Sequence, residues 1–178
     1  MPAVRKEYRA AAVTGLFLFV APCVVAGLAP WALTRWRMAP PFLNFDPTRW
    51  LGAVLVAVGV PILLDSFWRF AREGIGSPAP IYPTERLVVT GLYRYVRNPM
   101  YLAVAAVIFG QALLLGNAVL LIYGAAVALA FHLFVLVYEE PTLERAYGAQ
   151  YATYRANVPR WLPRFTAWRV ANGKSGED

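Results

Sequence analysis

Reactive and charged side chains are scarce in this chain. Among its 178 residues there is one cysteine and one histidine, and charged residues make up 15%. The cysteine, Cys23, lies inside an apolar run, so neither a disulfide framework nor a cysteine metal site can be built, and no metal is expected. No Gly-rich strand–turn–helix unit appears, which excludes a soluble dinucleotide-type fold. Net charge is +7, but the cations flank apolar runs. Anionic lipid headgroups are therefore the expected partner, and nucleic acid is not.

What is abundant is apolar sequence, 59% of the residues, arranged in long blocks. Blocks of this kind call for a bilayer as solvent, and the length allows one domain. The reading is an all-α integral membrane fold with about four transmembrane helices and a C-terminal amphipathic helix on the cytosolic face. The first span is placed at 10–33, retained and not cleaved, and bent near Pro22 or ended by Pro30. The second covers 50–70, with Asp65 and Arg69 at the spacing of a helical ion pair. A Gly- and Pro-rich loop at 74–83 leads into a polar segment, 84–99. A hairpin of two spans follows, 99–116 and 118–139, turning at Gly116-Asn117, with Pro99 tolerated in the first helical turn. In 141–157, Leu143, Tyr147, Tyr151 and Tyr154 recur at helical spacing and define the amphipathic helix.

Charge orients this arrangement. Of the 17 lysines and arginines, only Arg35, Arg37 and Arg49 fall outside if both termini are cytosolic. The protein is then a multi-pass membrane protein, of the inner membrane if bacterial. The 84–99 segment and Glu139-Glu140 meet at the cytosolic end of the hairpin. Glu139 and Glu140 are read as ending their helix, where carboxylates oppose the macrodipole and need cations from the other cluster. Tyr93, Arg94, Arg97, Asn98 and Tyr101 lie opposite the paired acids. Such a set suits a cationic, amino-acid-like cofactor with an adenine ring. Carboxylates hold an ammonium or sulfonium, arginines or backbone donors take a carboxylate, and tyrosines stack a base.

The run Gly91-Leu92-Tyr93-Arg94-Tyr95-Val96-Arg97-Asn98-Pro99-Met100-Tyr101 resembles the Arg-His-Pro-x-Tyr segment of the isoprenylcysteine carboxyl methyltransferase family. Glu139-Glu140, Leu143, Tyr147-Gly148, Tyr151, Tyr154 and Val158-Pro159 are similar to its C-terminal signature, one helical hairpin further on. The resemblance covers 85–163 and extends to phospholipid methyltransferase-like enzymes. It implies methyl transfer from S-adenosylmethionine to a lipid or small hydrophobic acceptor. It also implies a cofactor pocket of Glu85, Arg86, Leu87, Val88, Tyr93, Asn98, Pro99, Met100, Tyr101 and Glu139.

Two positions depart from the family pattern. Asn98 stands where the family has histidine, and it can hydrogen-bond but not become a cation. Val135 stands where the prenylcysteine enzymes carry a substrate-binding arginine, so a prenylcysteine acceptor is not expected. If the acceptor needs a base, Glu140 and His132 are the catalytic candidates. For His132, a neutral ring bonding a neighbouring helix is the competing reading. For Arg145, Arg155 and Trp161, anchoring at the membrane surface is the reading adopted. Two rival functions remain: a nicotinamide-dependent membrane reductase related to sterol reductases, and a non-enzymatic membrane scaffold.

Overall fold

The computed structural model describes residues 22–73, 87 and 89–169. The start of the first span, the loop at 74–83, and Glu85, Arg86 and Val88 lie outside the described residues. Within them all regular structure is helical: α1 (Val24–Thr34), α2 (Pro47–Glu73), α3 (Pro99–Leu115), α4 (Ala118–Tyr147) and α5 (Ala149–Asn157). Short 3-10 turns at Phe42–Asn44 and Gly91–Arg94 lie in the connections.

Two helices, α2 over Pro47–Arg69 and α4, are long and apolar enough to cross a membrane, and little of each is buried. In water such surfaces would associate, whereas in a bilayer Val54, Val58 and Leu64 on α2 and Ile122, Leu129 and Val137 on α4 face lipid. The other two apolar helices are shorter. The 17 residues of α3 reach about 25 Å, against a hydrocarbon thickness of about 30 Å.

Lipid gives apolar side chains no reason to leave it, so helices in a bilayer associate through close backbone packing. Gly52 and Gly59 of α2 face Gly110, Ala103 and Ala106 of α3. A Cβ on Gly110 would lie 2.8 Å from the Gly52 carbonyl and from Val56, contact that only glycine permits. The α3–α4 hairpin turns where the sequence places it. Gly116 adopts φ 65°, and the Asn117 side chain caps α4 by accepting from the Val119 N–H at 3.0 Å. Pro99 occupies the first turn of α3, where its missing N–H is harmless.

Two prolines inside helices are each preceded by a π-type turn, Val24–Leu28 before Pro30 and Val135–Glu139 before Pro141. In α1 the Ala29 N–H goes to the Val24 carbonyl and Pro30 has none, so the carbonyls of Val25 and Ala26 lose their helical donors. Side chains from the hairpin replace them. Tyr123 Oη donates to Val25 at 2.8 Å, and Gln111 Nε2 donates to Ala26 at 2.6 Å. These bonds tie α1 to α3 and α4 around a core of Ala26, Val104, Val107 and Ile108.

The second π turn corrects the reading of Glu139 and Glu140 as a helix end. The turn absorbs Pro141 and α4 continues to Tyr147, so the acids lie within a helix and the macrodipole does not oppose them. The amphipathic stretch 141–157 is likewise not one helix. It divides at Gly148, whose φ of 51° and ψ of −123° no helix accommodates, into the end of α4 and a separate α5.

Replacing Gly110 by leucine should separate α2 from α3 and destabilise the protein by about 1–3 kcal/mol or more. Thermal unfolding in detergent micelles, with Gly27→Leu as the control because a Cβ there meets nothing within 4 Å, reads the difference.

Candidate functional site

The site begins at the Gly91 turn. Gly91 has φ 52°, and the Arg69 guanidinium occupies the place a side chain would take. Arg69 is held by Asp65, one turn earlier on α2, at 2.8 Å. The sequence-level ion pair thus forms and packs against the turn that starts the polar segment. Tyr93 is buried beneath it, its hydroxyl in hydrogen-bond contact with Ser66 of α2. Its carbonyl accepts from Tyr154 Oη of α5 at 2.7 Å. Burial pushes the Tyr93 phenol up, the nearby Glu139 carboxylate adds to this, and burial raises Tyr154 as well. Both remain neutral, and Tyr154 is the donor between them.

From Arg94 to Asn98 the segment is bound to a strap formed by residues after α5. The Arg97 N–H donates to the Pro159 carbonyl, the Arg164 N–H to Tyr95 and the Trp168 N–H to Arg94, each at 2.9 Å. Arg94 Nε returns a bond to the Trp168 carbonyl at 2.7 Å, and Asn98 Nδ2 donates to the Arg160 carbonyl at 3.2 Å. The strap is sequestered further by Tyr151, Tyr154 and Val158, all buried, with Leu87, Leu143, Tyr147 and Trp168 around them.

The two adjacent glutamates are treated differently. Glu140 is 6% exposed. Arg97 Nη1 donates to its Oε1 at 2.8 Å, and Arg160 forks onto both oxygens, Nε at 2.6 Å and Nη2 at 2.8 Å. Arg97 also donates to Tyr151 Oη at 3.1 Å, while its buried Nε has no acceptor among the described residues. The bonds to Glu140 raise the Arg160 guanidinium further above its usual range. Glu139 accepts one bond, from Tyr101 Oη at 2.9 Å, and among the described residues it has no cation. One carboxylate is neutralised twice over; its neighbour is left for something else.

Of the residues singled out from the sequence, Tyr93, Tyr101 and Glu139 converge, with Asn98 and Pro99 buried at the start of α3 beside them and Met100 half-buried. Leu87 packs into the tyrosine cluster. His132 stands two turns before Glu140 on α4, where its Nδ1 accepts from Trp161 Nε1 at 3.0 Å. That nitrogen is thus occupied, and its partner Trp161 belongs to the strap and not to a helix. Sequence reasoning missed Arg160, Ser66 and the strap. The one available signal for Arg160 was a deficit: two adjacent acids on an apolar helix demand more than one cation.

Two long apolar helices with little of their surface buried are those of a helical membrane protein, and an arginine–glutamate cluster closes one end of its hairpin. The profile of the phospholipid methyltransferase family matches residues 47–150, from the start of α2 to the start of α5. The chain belongs to that family. It is also 35% identical over 77 residues to protein-S-isoprenylcysteine O-methyltransferase of Schizosaccharomyces pombe, a match spanning 43% of this chain and 33% of that protein. No solved structure matches the chain.

Removing the Glu140 charge strands two arginines, one of them 9% exposed at its side chain. Glu140→Gln should therefore cost about 3–5 kcal/mol. Arg160→Met leaves Glu140 still paired with Arg97 and should cost less, about 1–3 kcal/mol. Chemical unfolding of both variants in micelles ranks them; equal losses would contradict the geometry.

Proposed function

We propose that the protein is an S-adenosylmethionine-dependent methyltransferase acting on a lipid or small hydrophobic acceptor at the cytosolic face of the membrane. The observation that carries this reading is Glu139, a carboxylate within an apolar helix that has no cation beside it among the described residues. A buried charge is tolerated when it is paired, and the pair here is the cationic end of the cofactor. Arg97 Nε, buried and without an acceptor, fits the opposite end, a carboxylate. Tyr101, bonded to Glu139, and Tyr93 near it are the phenols assigned to an aromatic base, with Asn98 at the start of α3 beside them.

When bound, the cofactor supplies a sulfonium methyl that is already activated. What remains for the chain is to align acceptor, carbon and sulfur and to keep water out. The strap and the tyrosine cluster exclude water, and the Glu140–arginine cluster fixes the helix that carries Glu139. Glu140 and His132 are not assigned as bases in this reading. Glu140 is committed to three arginine donors and His132 Nδ1 to Trp161. The fission yeast relative is named for an isoprenylcysteine substrate. Here Val135, 1% exposed, gives no cation for an acceptor carboxylate, so we assign an acceptor that is not a prenylcysteine. The excess of lysine and arginine on one side supports cytosolic termini, with α1 and α3 as two further spans.

Calorimetry of the detergent-solubilised protein with S-adenosylhomocysteine, and NADPH in parallel, tests the reading. S-adenosylhomocysteine should bind, and Glu139→Gln should weaken it by about 2–5 kcal/mol while the variant stays folded. Binding of NADPH alone would support the reductase reading, and silence toward both would support the scaffold.

A further inference from the structure

The strap carries a feature that the methyl-transfer reading does not use. Leu162 is 78% exposed and Phe165 is 105% exposed, in a segment otherwise tied tightly to the protein. Their neighbours are Arg164 and Arg169, with Pro159 and Pro163 bracketing the bend. Depth along α4 can be read from the two side chains at its centre. Arg160 reaches Glu140, while Trp161, the next residue, reaches His132. His132 precedes Glu140 by two turns, about 12 Å along a helix axis. Adjacent residues of the strap therefore grip α4 at two levels, the deeper of them beside the last apolar turns. From there the chain returns to the polar segment, where Arg164 and Trp168 bond to Tyr95 and Arg94.

We propose that residues 159–165 form a shallow re-entrant loop in the membrane leaflet that contains the C-terminal end of α4. In it Leu162 and Phe165 lie among acyl chains, and Arg164 and Arg169 lie at the phosphates. The occupant of this apolar surface is the bilayer itself. The loop adjoins the lipid-facing side of α4, where Leu129, Leu133, Leu136 and Val137 are exposed, and its flanking charges are all positive. Non-helical backbone at this depth is permitted where protein satisfies its polar groups. The carbonyls of Pro159 and Arg160 and the N–H of Arg164 meet this condition, and the shallow position leaves the remaining groups within reach of headgroups and water. Because the same loop delivers Arg160 to Glu140, its seating in the leaflet holds the arginine cluster together.

Single cysteines at Leu162→Cys and Phe165→Cys, in a Cys23→Ser background and labelled with an environment-sensitive fluorophore, test the placement in liposomes of mixed neutral and anionic phospholipids. Gln150→Cys, exposed on α5, is the aqueous control. The labels at 162 and 165 should lose iodide quenching and gain quenching by lipids brominated on the upper acyl chain, the reverse of the control. Iodide quenching equal to the control, with no effect of brominated lipid, would overturn the proposal. In a second measurement, trypsin cleavage after Arg160 and Arg164 is read by mass. The wild-type strap should resist cleavage in liposomes, and the Leu162→Asp/Phe165→Asp variant should be cut. Equal resistance would show that insertion does not hold the loop. Neither measurement depends on which cofactor binds.

Discussion

A carboxylate at the boundary of an apolar span can be kept there only by cations brought to it, and the architecture around Glu140 is the solution to that requirement. Arg97 comes from the turn before α3 and Arg160 from beyond α5, so one side chain fixes three segments distant in sequence. The pairing sets the register of the hairpin and docks the strap. It also makes Glu139 different from its neighbour. Arg97 and Arg160 are both directed at Glu140, and among the described residues Glu139 has only the Tyr101 hydroxyl. The two acids thus have different roles, one structural and one proposed for the cofactor. Neighbouring positions on a helix face different partners, which is what separates them.

Rigidity elsewhere supports this division. The α2–α3 contact is built on glycine and alanine, so Ser66 and Arg69 of α2 stand at a fixed distance from the Gly91 turn and Tyr93. The site therefore has three walls: the polar end of α2, the segment with its strap, and the end of α4. Within this frame the phenols of Tyr93 and Tyr154 are buried and stay protonated, so they act as fixed polar groups and not as titrating ones.

Features set by local physics were legible in the sequence. The Gly116-Asn117 turn, Pro99 in a first turn, the Asp65–Arg69 spacing and the tyrosine face each follow from propensity or periodicity. That the two polar clusters meet across the hairpin also followed from the connection being short. Features that depend on distant partners were not legible. Pro141 reads locally as a helix end, because the π turn that accommodates it has no composition of its own. Gly148 looks like one more residue of an amphipathic repeat until its backbone is seen. Arg160 sits in a Pro-Arg-Trp-Leu-Pro run whose local meaning is only extended chain, and its partner lies twenty residues away on another element. His132 and Trp161 were each read alone, and their bond joins them.

The carbonyls of Val25 and Ala26 bear on biosynthesis. α1 is made before α3 and α4, which carry the donors that complete it, Gln111 and Tyr123. A nascent α1 released alone into lipid would carry two bare backbone acceptors, each costing several kcal/mol there. Synthesis order and completion order are therefore opposed. The first helix must be retained by the insertion machinery, or by water at the membrane edge, until the hairpin emerges and takes it in.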